Sequence, residues 1–355
     1  MKQLSLATDS ELAVAISTDL QKFAERWKQN KTIGNRAPID AYCDVLLRGG
    51  KRLRGVLAMR SYYAHGGKDD VVALGAARVF EIIQTSLLIV DDIADRSRLR
   101  RGGPSAHILL ETYAKEHNLK GNALRYGEVQ AMNVAYSGPP QAIIELLSLP
   151  VDATIARRAG EQFNENVLVT INGQLDDVFN EVTRSELSEE AIESVLHRKT
   201  AHYTFLSPIE LGAQLAGAIG VTQNLYDYAI HAGCAYQIAD DIIGSFGMTG
   251  ETGKGNNDDI REGKITLLAY YALHHGNGTQ KTALESVLGN ENATIEDCDD
   301  VRRIFEVTGA LDYAKERQIV HEKAALAVLD GDKKTDPAFV QYLAQLADYL
   351  VNRKS

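Results

Sequence analysis

Three aspartates, Asp91, Asp92 and Asp95, close the apolar run Leu87-Leu88-Ile89-Val90, and four arginines, Arg96, Arg98, Arg100 and Arg101, follow at once. If residues 70–95 are helical, Asp91 and Asp95 stand one turn apart on one face, with Asp92 about 100° round the axis. Like charges at that spacing repel and weaken a helix. The cost makes sense if a divalent cation sits between them. Carboxylate oxygens suit Mg²⁺, which binds through one or two carboxylates plus phosphate and water. Alone, such a triplet reads equally well as a solvated acidic turn. A second pair, Asp240-Asp241 in "AYQIADDIIGSFG", ends another apolar segment, with Gln237 one turn earlier. Two acidic helix ends can converge on one space and share metal ions.

Cations complete the set. "RGGKRLRG" carries Arg48, Lys51, Arg52 and Arg54; "RRGG" carries Arg100 and Arg101; "HRKTAHYT" sets Lys199 beside Thr200; "TGKGNNDDIREGK" carries Lys254 and Lys264. Arginine grips phosphate bidentately and lysine acts as a mobile point charge. Taken singly, each cluster is a helix-end cation that complements the macrodipole. Together with two acidic pairs they imply a pocket for more than one polyphosphate. A P-loop reading of "GMTGETGKG" fails, because Met248 replaces the first glycine and Gly255 the Ser or Thr after Lys254. No nucleophile triad is visible.

The elements that must position these groups read as helices. Leu12, Ile16, Leu20, Phe23 and Trp27 recur at helical spacing behind a Thr8-x-x-Glu11 capping box. "IDAYCDVLLRGG" ends at a Gly49-Gly50 stop. The long segment 70–95 is free of proline, and further patterns cover 123–136, 152–182, 189–206, 224–246, 265–275 and 309–329. Ser188 with Glu189 and Glu190 marks a helix start. No stretch shows strand alternation, and no linker divides the chain. The reading is a single all-α domain over residues 1–355, with ten or more helices.

The 355 residues carry a net charge of −10, which argues against nucleic acid or an anionic membrane as partner. Cys43, Cys234 and Cys298 are scattered and read as reduced core thiols. With no signal-like start and no long uninterrupted apolar run, a cytoplasmic chain without membrane insertion is expected.

The series "GGKRLR" (49–54), "SLLIVDDIADRSRLRRGGPSAH" (86–107), "GQLDD" (173–177), "KTAHYT" (199–204), "YQIADDIIGSFG" (236–247), "TGK" (252–254) and "DDIREGKITLL" (258–268) resembles the (E)-polyprenyl diphosphate synthase family in order and spacing. The resemblance implies an isoprenoid-synthase bundle around a deep central cavity, and a homodimer. It implies head-to-tail condensation of an allylic diphosphate with isopentenyl diphosphate, dependent on three Mg²⁺ ions. Carried over by position, Asp91 and Asp95 bind two ions and Asp240 the third, with Asp241 in support. Arg100, Lys199 and Lys254 grip the allylic diphosphate, with Lys264 near it and Asp259 reaching metal-bound water. Thr200 and Gln237 lie beside the nascent carbocation. Lys51, Arg54 and Arg101 hold isopentenyl diphosphate, and Gln84 stands where many relatives place a histidine contact. Gly244 stands where some branches carry a third aspartate.

The same resemblance makes the helix ending at Asp91 the wall along which the product grows. Ser86, five residues upstream, leaves room where an aromatic ring would block, so geranylgeranyl (C20) or a longer product is expected, and Ser86→Phe should shorten it. A class I terpene cyclase shares the first aspartate motif but needs no second diphosphate site, and "DDIIG" departs from its second motif. A non-catalytic partner subunit is disfavoured by the intact aspartates.

Overall fold

Side-chain caps place the helix ends. Thr8 accepts the backbone N–H of Glu11, and the Glu11 carboxylate accepts the Thr8 N–H in return. That box opens α1 (Asp9–Lys28), whose Leu12, Ile16, Leu20, Phe23 and Trp27 are all buried. The structure is a computed structural model that describes residues 4–29, 34–184, 187–246 and 257–351. Its chain contacts separate into two compact units, Met1–Glu161 with Glu210–Ile219, and Gln162–Ile209 with Gly220–Ser355.

In the first unit, α2 (Ala37–Leu47) stops just before the glycines of "RGG", as read. It is followed by α3 (Leu53–Ala64) and by α4 (Asp70–Ala94), with Asp95 as its C-cap. Helix α4 has the length and hydropathy of a membrane span, yet 72% of its most apolar window is buried, the pattern of a core helix. It packs on α3 and on α6 (Ala123–Ala135) and α7 (Gly138–Leu147), while α2 packs on α5 (Ala106–Glu116). Between α4 and α5 the chain does what alternation could not reveal: Leu99–Arg100 (β1) pairs antiparallel with Gly103–Pro104 (β2). The all-α reading holds, with this hairpin as a small addition to it. Two-residue strands are too short to show a period, and the hairpin is specified by its turn. Arg101 and Gly102 both have positive φ, 50° and 74°, which the mirror-type two-residue turn requires.

In the second unit, α8 (Ala153–Thr183) is followed by α9 (Glu189–Val195), whose Ser188 cap accepts the N–H of Ala191. The predicted helix over 189–206 is in fact two pieces. From Leu196 to Leu206 the turns widen into a π-helix, and then α10 (Ser207–Leu215) continues, with Pro208 in its first turn. Helix α11 (Gln223–Phe246) lies against the π segment and against α16 (Ala310–Asp330). Around them stand α12 (Asp258–Glu262), α13 (Leu267–His275), α14 (Gly278–Val287), α15 (Ile295–Val307) and α17 (Pro337–Val351). Cys43, Cys234 and Cys298 are buried free thiols, as expected.

Two glycines let the π segment sit this close to its neighbours. A Cβ at Gly173 of α8 would lie 2.5 Å from the Lys199 backbone nitrogen, and one at Gly233 of α11 would lie 2.3 Å from Ala201 Cα. An alanine at 173 offers about 1 kcal/mol of helix propensity. Overpacking against a backbone that cannot rotate away costs about 1–3 kcal/mol, so the clash wins. Gly173→Ala is expected to lower the urea midpoint; a raised midpoint would mean the approach is slack.

The loop between α2 and α3 hangs on Arg52. Its guanidinium pairs with Glu81 of α4 and donates to the carbonyls of Leu46 (2.9 Å) and Arg48 (3.2 Å), and both charged side chains are buried. Removing one partner of such a pair strands a buried charge. Glu81→Ala should therefore destabilise by about 3–5 kcal/mol in denaturant unfolding, whereas a loss below about 1 kcal/mol would show that water reaches the arginine.

Candidate active site

The cations of the first unit meet at the hairpin. Arg48 donates to the carbonyls of Arg100 (2.9 Å) and Pro104 (2.7 Å), so one side chain ties the end of α2 to both strands. A Cβ at Gly103 would come 2.7 Å from the Arg48 guanidinium carbon, which explains a glycine there. The turn then presents Arg101, whose guanidinium lies beside Gly50 and donates to the Arg48 carbonyl at 3.4 Å. Burial, together with Arg52, Arg54 and Arg100, pulls the Arg101 pKa down to about 10 against the opposing pull of Glu81. Loss of water is the larger cause, and the nearby cations add to it. Lys51 is exposed and Arg54 partly buried in the same loop. Arg52, by contrast, turns its guanidinium inward to Glu81.

The aspartates at the end of α4 divide as the helical angle requires. Asp92 is fully buried and takes the Arg100 Nε at 2.7 Å and its Nη2 as well. Asp91, partly buried, lies 3.6 Å from that same Nη2. Burial works against the Arg100 cation, but Asp92, then Asp91 and Asp95, outweigh it and raise its pKa. Asp95 is partly buried and caps α4, its N–H donating to the Asp91 carbonyl at 2.8 Å. Gln84, two turns below Asp91 on the same side of α4, has a buried carbonyl oxygen that makes no hydrogen bond among the described residues. The room expected at Ser86 is filled: its hydroxyl meets the Tyr42 hydroxyl at 3.0 Å, and a Cβ at Gly138 would lie 1.8 Å from it.

In the second unit a cavity of about 60 Å³ collects Lys199, Thr200, Gln237 and Lys264 with Asp177 and Asp241. Lys199 Nζ reaches Asp177 at 2.5 Å. Thr200 Oγ1 donates to Gln237 Oε1 (2.8 Å), and Gln237 Nε2 donates to Asp241 Oδ1 (2.8 Å), so a relay crosses from the π segment to α11. Burial lifts the Asp241 carboxyl to about 8; the Gln237 hydrogen bond and Lys264 oppose that rise, and Asp259 and Asp240 add to it. Asp240, next along α11, is partly buried. Lys264 lies 3.3 Å from Asp259 and 3.2 Å from Glu262. The Asp259 carboxylate occupies the place where a Cβ at Gly244 would stand, 2.1 Å away, so an aspartate at 244 has no space in this chain. Lys254 lies outside the described residues.

Sequence reasoning passed over Asp177 as a partner. Its signal was present in "GQLDD": Gly173 and Asp177 are i and i+4, so the glycine that admits the Lys199 backbone and the carboxylate that holds its ammonium share a face of α8. Among the described residues no three Asp, Glu, His or Cys side chains converge on one point as an all-protein metal cage. Chemically, the first unit offers an anion site of arginines and lysine beside partly buried carboxylates. The second offers paired carboxylates beside two ammonium groups and a hydroxyl–amide pair.

The polyprenyl synthetase family matches residues 37–306. A geranylgeranyl diphosphate synthase of Saccharolobus solfataricus is 32% identical over 86% of this chain and 88% of its own. A short chain isoprenyl diphosphate synthase of Methanothermobacter thermautotrophicus is 31% identical over 87% of this chain and 88% of its own. The crystal structure of geranylgeranyl pyrophosphate synthase from Corynebacterium glutamicum, complexed with isoprenyl diphosphate and magnesium, superposes with a TM-score of 0.90 at 29% identity, covering 98% of this chain and 100% of that one. Helices in the order the motifs demanded, carboxylates and cations in the places described, and a family match over most of the chain leave one conclusion: this chain belongs to the polyprenyl synthetase family and is a prenyltransferase of the isoprenyl diphosphate synthase kind.

Proposed function

We propose that the chain condenses an allylic diphosphate with isopentenyl diphosphate head-to-tail, in the presence of Mg²⁺, to make all-trans geranylgeranyl diphosphate. The observation that carries this reading is the basic cluster of the first unit, where Arg48 clasps the hairpin and Arg101 is set beside Gly50, with Lys51 and Arg54 in the same loop. A polyanion suits that cluster, and Lys51, Arg54 and Arg101 give the second diphosphate cations other than Arg100, which Asp92 and Asp91 engage. A cyclase acting on one prenyl diphosphate has no use for it.

The donor set fits magnesium. Asp91 and Asp95 are partly buried carboxylates one turn apart, and Asp241 is raised by burial and by its acidic neighbours, a state that a nearby cation would relieve. Asp91 and Asp95 would hold two ions and Asp240 a third. Bound magnesium would neutralise diphosphate oxygens and so favour loss of the leaving group.

This chain's own groups do the rest. Lys199, Lys264 and Arg100 exchange their carboxylate partners for oxygens of the allylic diphosphate, a role that the family resemblance gives to Lys254 as well. Thr200 and Gln237, held by their mutual hydrogen bond and by Asp241, present oxygens to the allylic carbon as it becomes cationic. Lys51, Arg54, Arg101 and Gln84 fix the isopentenyl diphosphate so that its double bond attacks that carbon. The proton then lost goes to the released pyrophosphate. The reading extends to a homodimer in a reducing cytoplasm, in keeping with three free thiols. The C20 length draws on the names of the relatives, since the space at Ser86 is taken by Tyr42 and Gly138.

Incubation with Mg²⁺, isopentenyl diphosphate and C5, C10 or C15 primers, followed by product sizing, tests the reading. Turnover of one prenyl diphosphate alone would make the chain a cyclase, and no turnover would make it a non-catalytic subunit. Asp91→Asn and Asp240→Asn should each cost about 10²–10³ in kcat. Lys51→Ala should raise KM for isopentenyl diphosphate well beyond KM for the primer; equal losses would undo its assignment. Ser86→Phe, driven into Tyr42 and Gly138, should lower the melting temperature with no clean shortening of the product.

A further inference from the structure

The π segment carries Lys199 and Thr200, and its first turns are clasped from two sides. Toward α8, Lys199 pairs with Asp177 and Arg198 with Asp176. On the other side, Glu189, Glu193 and His197 recur every four residues through α9 into the start of the π segment, and Tyr313, Arg317 and His321 recur every four along α16. At that spacing each set shares one helix face. The rungs meet in order. The Tyr313 hydroxyl donates to Glu189 Oε1, and Arg317 Nη2 donates to Glu193 Oε1. Arg317 Nε also stands 3.6 Å from Glu189, and His321 Nε2 stands 3.9 Å from Glu193. His321 Nδ1 meets His231 Nδ1 of α11 at 3.1 Å, one ring donating to the other. His197 lies within electrostatic reach of His231. The ladder therefore runs from α9 through α16 and α11 back to the π segment, around Leu196, where the wide turns begin. All of its members belong to the second unit. The cavity of that unit is lined by Leu196, Lys199 and Thr200 but, among the described residues, by no member of the ladder.

The two clasps differ in what substrate does to them. Lys199 reaches a diphosphate only by leaving Asp177, so the clasp toward α8 loosens at the moment the lysine is used. What stays there is Arg198 with Asp176, whose side chains are 38% and 41% exposed, a kind of pair that contributes little. The ladder takes no part in that exchange. At its centre His321, with Arg317 and against the effect of burial, pulls the Glu193 carboxyl down to about 2, so this anchor is ionised throughout the neutral range.

We propose that Glu193, Arg317 and the His321–His231 pair are positioning residues for the prenyl transfer: they hold the start of the π segment in place while Lys199 exchanges Asp177 for the allylic diphosphate. The proposal rests on the condensation proposed above and deepens it. Steady-state kinetics of the intact chain with both substrates tests it. Glu193→Gln keeps the shape and removes the charge. It should raise KM for the allylic primer and lower kcat, each about tenfold. KM for isopentenyl diphosphate should stay at the parent value, since Lys51, Arg54 and Arg101 belong to the first unit. Arg317→Met should do the same, the two changes together should cost little more than either alone, and Arg317→Lys should recover most of the loss. A ladder that only stabilised the fold would lower the melting temperature and leave the primer KM unchanged; that result, or fully additive losses, would overturn the proposal. Far-UV circular dichroism checks folding. If Glu193→Gln does not fold, Tyr313→Phe, which removes a single hydroxyl at the outer rung, should show the same split between the two KM values. A parent chain that fails to join the two substrates would sink the condensation, and hydrogen exchange then decides the ladder by itself. The amides of residues 196–206 should exchange about tenfold faster in Glu193→Gln than in the parent, and equal rates would show that the ladder holds nothing.

Discussion

Arg101 and Asp241 are moved from their ordinary ionisation by the same physics with opposite sign. Each is withdrawn from water, and each has neighbours of its own charge: Arg52, Arg54 and Arg100 around the first, Asp259 and Asp240 near the second. A folded chain bears such crowding only when the scaffold gives the groups nowhere else to go. Glu81 offsets the first in part and Lys264 the second. An anion at the one and a cation at the other would complete the compensation, which is the chemistry that the proposed diphosphate and divalent metal would supply.

The scaffold accepts unfavourable backbone to achieve it. Arg52, Arg96 and Arg101 all lie in the left-handed region, which disfavours side chains with a Cβ by about 1–2 kcal/mol each. Arg52 repays part of this through its buried pair with Glu81 and two carbonyls, and Arg101 through the hairpin that Arg48 clasps. The π segment is a similar concession. Widened turns are uncommon and concentrate at functional sites. Here they place Lys199 and Thr200 on consecutive positions yet aim one at Asp177 of α8 and the other at Gln237 of α11. Strain and close glycine contacts are found where charged groups have to be aimed, as expected when function opposes local preference.

Much of this was legible in the sequence because it depends on period. The i and i+4 relation of Asp91 to Asp95, the inward turn of Asp92, and the helices around residues 70–95, 152–182 and 224–246 all follow from 3.6 residues per turn. What stayed hidden depends on contacts rather than period. Nothing local distinguishes Arg52, turned inward to Glu81, from Lys51, turned outward. A two-residue strand has no alternation to read, and a π turn differs from an α turn by a hydrogen-bond shift that composition does not report. Ser86 misled for a related reason: a small side chain creates space only if no neighbour fills it, and Tyr42 arrives from a helix forty-odd residues away in sequence.

Helix α8 joins these strands of argument. One side of it must stay smooth enough at Gly173 for the Lys199 backbone to press against it, and must carry Asp177 one turn on to catch the ammonium. A glycine inside a long helix lowers its stiffness where the contact is closest. Straightness there is left to the buried side of the helix, where Phe163, Asn166, Thr170 and Asn180 pack, so the aim of Lys199 depends on how firmly that side is held.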